Sequence, residues 1–304
     1  MSAPVVAAYD QTPYSKHALA EAVREAVSRG TGLRIVHAYT TDERLPMGPF
    51  TTVVPTPKFE QTSRHDAEEI LEEVAAQVKS DNPNLTTETR AVPGDAPTGI
   101  LAEASTAAVL VVGSRGRGGF SGLLLGSTSQ RVLADAPCPV IVVHDTPGKP
   151  TGQIMVGLDI DEPNSEVLEY AFDTAARRGT GLIVANVWDE SWTMSHAARS
   201  HAARRLDEDG VASENAHTDR LKELLDPWQH KHPDVTVTTR VYTAFSTGTA
   251  GNCLVEASKE ADLLILGVRS ETGHRHTNRL GPVSHTALHH AHCPVAVVPS
   301  SGAS

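Results

Sequence analysis

Apolar positions along the chain follow two rhythms. Short unbroken aliphatic runs such as Val109-Leu110-Val111-Val112 have the length and β-branched content of strands buried on both faces. Between the runs, apolar residues recur at helical spacing, as at Ala18, Leu19, Ala22, Val23, Ala26 and Val27, with Gly30 as a stop signal. The pattern predicts a strand ending just before Asp10, a helix to Gly30 and a strand Leu33–Tyr39. It then predicts a helix from about His65 to Lys79, a strand near Thr87–Val92, a helix near Thr98–Ala107 and the strand Val109–Val112. A helix Ser127–Ala134 and a strand Val140–Val143 follow. Strands alternating with helices at this spacing imply an α/β fold, a parallel sheet covered on both faces.

The same order is written twice. "PVVAAYDQTPYSKHALAEAVREAVSRGTGLRIVHAY" at Pro4–Tyr39 parallels "QIMVGLDIDEPNSEVLEYAFDTAARRGTGLIVANVW" at Gln153–Trp188, and "APCPVIVVH" is answered by "AHCPVAVVP". Matching positions differ by 149 residues at Asp10 and Asp159 and by 155 at Cys138 and Cys293, so the repeated unit is a whole domain and no solenoid repeat. Between the copies, Pro147, Gly148, Pro150 and Gly152 punctuate a polar seam. The expected organisation is two tandem open parallel-sheet sandwiches, residues 1–146 and 152–304. In such sheets ligands sit beyond the carboxyl ends of the strands. Asp10 and Gly113 leave strands at that rim in the first copy, Asp159 and Gly267 in the second.

Composition narrows the classes. A formal net charge of −11 over 304 residues argues against a surface built to hold nucleic acid or anionic lipid. Three cysteines, far apart and without metal-ligand spacing, speak against a disulfide framework and for a reducing cytoplasm. "MSAPVVAAYD" has no basic n-region, and no apolar run approaches the ~18 residues of a membrane span, so neither export nor anchoring is expected.

The chemistry concentrates in "GSRGRGGFSGLLLGSTSQ", Gly113–Gln130. A helix opening at Gly126-Ser127-Thr128-Ser129 offers unpaired N–H groups and a partial positive charge, which favour phosphate. Glycines let backbone approach a ligand, the hydroxyls add donors, and Arg115 and Arg117 can neutralise charge. The segment lacks the Gly-Lys-Ser/Thr end of a P-loop, and no Gly-x-Gly-x-x-Gly follows the first strand of either copy. From loop chemistry alone, a plain connection and a phosphate cradle stand as equals.

Gly113, two residues, Gly116, nine residues, Gly126-Ser127 resembles the nucleotide signature of the ATP-binding branch of the universal stress protein family. The "PCPV" before the last strand, the strand-end Asp and the tandem arrangement are similar to that family over essentially the whole chain. The resemblance implies the family's fold, akin to the adenine nucleotide alpha hydrolases, and ATP, escorted by Mg²⁺, as ligand. It implies that Asp10 lies beside adenine or ribose, that Val36 is the apolar wall whose backbone contacts the base, and that Gly113, Gly116 and Gly126 shape the loop. Arg115 and Arg117 then flank the phosphates, and Ser127 and Thr128 cap the helix and touch them. Gln11 stands where the family usually has Gly in an Asp-Gly-Ser turn. The resemblance further implies a pseudo-dimer of the two domains, with Val140–Val143 and Val295–Val298 near the contact. A regulatory role through protein partners under stress also follows from it, and a homo-oligomer is left open.

The second copy departs from the signature. Gly267 is kept, Ser270 replaces the middle Gly, ten residues separate it from Gly281, and Pro282 stands where Ser127 stands. Proline removes one N–H and the hydroxyl a phosphate would use. Asp159, Gly267, Gly281 and Arg269, Arg275 and Arg279 form a variant site, with weaker binding or a mainly stabilising domain as the expectation.

Other candidates read as structural. His285 and His289 share a helix face, yet a metal needs a third ligand, and none is expected. Ser15 and Ser165 read as helix N-caps and not as nucleophiles. Cys138 and Cys293 read as small packing residues. Glu43–Pro57, rich in Pro and Gly, reads as a loop, either a cover over the ligand or an insertion. Met194–His230 reads as a polar helical stretch with a solvated face. No catalytic residue is assigned. The rival functions are a slow ATPase or adenylate-transferring enzyme, against which stands the lack of a general base at the phosphates, and a scaffold with an empty pocket.

Overall fold

A computed structural model of the chain describes residues 2–47, 50–116, 125–144, 148–161, 163–188, 206–243, 249–270 and 278–299. The chain separates into two compact units, Met1–Thr146 and Pro147–Ser304. Each is an α/β sandwich about a parallel sheet.

In the first unit the elements run β1 (Val5–Ala8), α1 (Pro13–Arg29), β2 (Leu33–Tyr39), β3 (Asp42–Met47), β4 (Phe50–Pro55), α2 (Pro57–Asp81), β5 (Thr87–Pro93), α3 (Ala96–Ala104), β6 (Val109–Gly113), α4 (Ser127–Asp135) and β7 (Val140–Val143). The main sheet has the order β5-β2-β1-β6-β7, every pair parallel. From β1 the chain steps outward to β2 and β5, then returns to the other side of β1 for β6 and β7. The crevice beyond β1 and β6 is therefore the switch point at which open α/β sheets take ligands. Both strands are wholly buried except at their carboxyl ends, as the unbroken aliphatic runs require.

The second unit repeats the plan with β8 (Gln153–Gly157), α5 (Ser165–Arg178), β9 (Gly181–Trp188), α6 (Leu206–Lys231), β10 (Val237–Thr243), α7 (Ala250–Ala257) and β11 (Leu263–Gly267). It continues with β12 (Arg269–Ser270), β13 (Asn278–Arg279), α8 (Pro282–His290) and β14 (Val295–Val298). Its sheet order is β10-β9-β8-β11-β14, again parallel, with β8 and β11 flanking the switch point.

The repeated Arg-Gly-Thr-Gly-Leu has a local cause. Gly30 and Gly179 end α1 and α5 in the left-handed conformation, at φ of 60° and 62°, and the next residues, Thr31 and Thr180, donate back to Ala26 and Ala175. Such a helix stop satisfies orphan carbonyls and turns the chain into the next strand.

Three expectations need correction. Glu43–Pro57 is no loop: β3 and β4 pair antiparallel as a hairpin, and Pro57 already opens α2. The helix runs well before His65 because Pro is favoured at N1 and the polar stretch after it is helix-compatible; only its packed part, with Ala67, Leu71 and Val78 buried, carries the apolar spacing. Nor do Ser15 and Ser165 cap their helices. Thr12 caps α1 by accepting from the Ser15 N–H, and Asn164 caps α5 by accepting from Glu166 and Val167.

Cys138, Cys253 and Cys293 are free and buried. Burial pushes the Cys138 thiol up to about 11, which suits packing and not thiolate chemistry. Among the described residues no helix is long and apolar enough to cross a membrane.

Candidate functional site

The site of the first unit begins where β1 ends. Asp10 turns out of the sheet and its Oδ1 accepts from the Thr12 N–H at 3.1 Å and the Thr12 hydroxyl at 2.6 Å. The Asp10 N–H donates to Ser15 Oγ at 3.2 Å, and that hydroxyl donates to the Thr12 carbonyl at 3.0 Å. The buried Ser15 thus works as a strut inside the turn. Gln11, between the two hydrogen-bonded residues, has φ of 67°. This is the left-handed backbone that glycine takes without strain, so a glutamine stands here in a conformation better suited to glycine.

The carboxyl end of β6 meets this turn. A Cβ on Gly113 would lie 2.8 Å from the Tyr14 carbonyl carbon and 3.0 Å from the Ser15 nitrogen, so glycine here lets strand and helix touch. Three residues past β6, a Cβ on Gly116 would lie 3.0 Å from Asp10 Oδ2. The carboxylate of the first turn and the backbone of the glycine segment are thereby in direct apposition.

The far end of the segment returns to the same place. The Gly126 N–H donates to the Ser114 carbonyl at 2.7 Å, and the Ser129 hydroxyl donates to the Gly113 carbonyl at 2.7 Å. A Cβ on Gly126 would meet Ser114 O, the Arg115 Cα and the Gly116 nitrogen at 3.4 to 3.6 Å. Gly126 is also the N-cap of α4 and has no side chain to offer its first turn. Those N–H groups carry the helix's partial positive charge, with Ser127 exposed and Thr128 half-buried beside them. Arg115 lies with its guanidinium 5.5 Å from the Tyr14 ring centroid and donates to the Tyr14 hydroxyl at 3.3 Å. That anchor holds a cation at the mouth, and among the described residues no carboxylate pairs with it.

Asp10, Gly113, Arg115, Gly116, Gly126, Ser127 and Thr128 therefore gather at one rim. Arg117 lies outside the described residues. Val36 does not reach the rim: its side chain is 1 % exposed and its carbonyl accepts the Tyr9 N–H. Two residues on along the same face, the half-buried Ala38 stands nearer the end of β2.

In the second unit Asp159 is exposed, its Oδ1 accepting from the Asp161 N–H at 3.0 Å. Gly267 ends β11 as Gly113 ends β6, and Ser284 donates to its carbonyl at 3.3 Å as Ser129 does to Gly113. The likeness stops at the helix start. A Cβ on Gly281 would meet nothing within 4 Å, and Arg269 and Arg279 are backbone partners in the β12–β13 ribbon that takes the place of a glycine segment. Arg275 lies outside the described residues.

The rings of His285 and His289 sit 4.4 Å apart. Among the described residues no three His, Cys, Asp or Glu side chains gather to hold a metal ion.

One residue was missed by the motif reading. His37, in the middle of β2 and buried, places Nδ1 2.6 Å from the Tyr9 carbonyl, directly before Asp10. The repeat held the signal, since Asn186 occupies the matching position of β9 and both interrupt an apolar strand with a polar group.

The Universal stress protein family profile matches this chain twice, over residues 1–144 and 151–299. A universal stress protein of Mycolicibacterium smegmatis is 30 % identical over 298 residues, covering 97 % of this chain and 96 % of its own. One of Mycobacterium tuberculosis is 28 % identical over 309 residues, covering 98 % and 96 %. Among solved structures, a universal stress protein from Archaeoglobus fulgidus superposes with a TM-score of 0.68 at 19 % identity, covering 97 % of this chain and 98 % of that one. At that identity the likeness speaks to the fold.

Proposed function

Since the chain belongs to the universal stress protein family, as a tandem member with two such domains, we propose that its first unit binds ATP at the β1–β6 rim and that the bound state alters its contacts with other proteins under stress. The observation that carries this reading is the apposition of Asp10 Oδ2 with Gly116, closed from behind by the Gly126 N–H on the Ser114 carbonyl. Two observations support a nucleotide in this cradle. Side chains are missing at Gly116 and Gly126, the positions where backbone must come close, and the first turn of α4 has no side-chain cap competing for its N–H groups.

In this reading the N–H groups and hydroxyls of Ser127 and Thr128 hold phosphoryl oxygens, and Arg115 offsets their charge. Asp10, fixed through Oδ1, faces the uncharged adenosine end, because a carboxylate is repelled by phosphate and accepts well from amine or hydroxyl donors. Magnesium enters with the triphosphate. It would come only as the escort of the phosphates, since among the described residues no cluster of acidic or histidine side chains would hold the ion alone. The second unit binds the same ligand more weakly, having lost the Ser127 hydroxyl and one N–H to Pro282. The protein acts in the cytoplasm.

Mass spectrometry of small molecules released by denaturing the freshly purified protein tests the reading, together with calorimetry against ATP and magnesium. Adenine nucleotide in the first and a saturable heat in the second are expected. Absence of both at millimolar ATP overturns it, and rapid accumulation of ADP or AMP would replace it with the enzyme alternative.

A further inference from the structure

The polar residue in the middle of β2 has a role that neither the motif nor the loop chemistry supplies. The ladder between β1 and β2 ends with Ala8 opposite Val36. Past that point the chain must leave the sheet at a defined angle if Asp10 is to face Gly116. Tyr9 is held there at two points: its N–H donates to the Val36 carbonyl at 2.8 Å, and its carbonyl meets His37 Nδ1 at 2.6 Å. The second unit repeats the clamp with different chemistry. The Leu158 N–H donates to the Ala185 carbonyl at 2.9 Å, and Asn186 Nδ2 donates to the Leu158 carbonyl at 2.9 Å, directly before Asp159.

A histidine and an asparagine differ in shape, but each offers a short, rigid N–H donor. Both are buried, at 3 % and 5 % exposure, and each directly follows an apolar buried stretch of its strand, Ile35-Val36 and Leu182–Ala185. Among the described residues Asn186 Oδ1 has no hydrogen-bond partner, an unfavourable state for a buried acceptor. A strand that keeps such a side chain keeps it for its donor. We propose that His37 is a positioning residue of the first unit's site: as donor to the Tyr9 carbonyl it extends the β1–β2 ladder by one bond and so fixes the direction in which Asp10 leaves the sheet. Asn186 does the same for Asp159. The link to ligand affinity rests on the nucleotide reading above; the clamp itself does not.

The test compares wild type, His37→Leu and His37→Asn in the full chain. Leucine roughly keeps the volume and removes the donor, whereas asparagine keeps a donor of the kind the second unit uses. Hydrogen exchange is followed at the amides of Asp10 and Thr12, whose partners are Ser15 Oγ and Asp10 Oδ1. Calorimetry follows ATP with magnesium. We expect His37→Leu to exchange those two amides at least about tenfold faster and to bind ATP about tenfold more weakly, the loss expected for one buried hydrogen bond. His37→Asn should return both within about threefold of wild type. Equal loss in both variants, or no loss in either, overturns the proposal. If His37→Leu does not fold, the asparagine variant decides, and a loss beyond about tenfold there overturns it. A wild type that binds no ATP sinks the nucleotide reading alone and leaves the exchange comparison to judge the clamp.

Discussion

The two units present the same rim with different fillings. In both, a strand-end Asp follows a clamped residue, a glycine ends the fourth strand of the sheet fold, and a serine from the next helix closes onto that glycine's carbonyl. In the first unit a Cβ on the glycine that opens this helix would touch the segment's entry at 3.4 to 3.6 Å, whereas in the second it would meet open space. Duplication preserved what the sheet needs and changed what a ligand would touch. Strand-end packing is constrained by the core in both copies, while the cradle is constrained only where something must fit into it.

The strongest way to break this contrast is to fill the cradle. Gly126→Val should reduce ATP affinity by at least about a hundredfold, because its side chain would enter the space between Ser114, Arg115 and the first turn of α4. Gly281→Val should leave the tighter ATP site of the first unit unchanged within error and touch at most the weaker one. Calorimetry on both variants reads the difference, and equal effects would mean the units are not functionally distinct.

A second comparison concerns the strand ends. Gly113→Ala pushes a methyl into the backbone of Tyr14 and Ser15 and should destabilise the first unit by about 1–3 kcal/mol. In Gly267→Ala the methyl meets chiefly a single side-chain atom, Val167 Cγ2 at 2.9 Å, and no backbone, so the loss should be smaller. Urea denaturation, with a probe in each unit because two-state behaviour is not assured, should rank the two.

Next in size is Gln11, whose left-handed backbone has no strained counterpart among the described residues of the second unit. Gln11→Gly should stabilise the first unit by roughly 0.5–1 kcal/mol, relief of strain outweighing the greater freedom of glycine in the unfolded chain. ATP affinity should hold, since the turn already has the required shape. A fall in thermal stability would show that Gln11 earns its place through its side chain.

The smallest effect separates the helix caps by pH. Asp95 caps α3, and hydrogen bonds from the Thr98 hydroxyl hold its carboxyl below the usual range, aided by the Thr98 N–H and Arg131. Its contribution is therefore present above the ordinary carboxylate range and lost as pH falls through the depressed value. The cap of α7 is Thr249, which does not titrate. Exchange of the Thr98 amide should quicken on acidification while that of Asn252 follows only the intrinsic pH trend. Parallel behaviour would contradict the assignment.

The sequence by itself determined the duplicated α/β organisation, because unbroken aliphatic runs can be satisfied only by strands covered on both faces, and their alternation with amphipathic segments leaves little choice but a parallel sheet. Through a family resemblance carried by their spacing, it also pointed to Gly113, Gly116 and Gly126 as one group. The hairpin at Asp42–Pro55 and the early start of α2 escaped it, since the sequence of neither carries a periodic apolar pattern. Val36 was drawn into the site by its place on β2, although its depth in the strand keeps it in the core. What only the tertiary structure decided is contact across sequence distance. That Gly116 abuts Asp10, that Gly126 returns to Ser114, and that His37 holds the peptide before Asp10 follow from strand order and register, which place residues from separate segments within a hydrogen bond of one another.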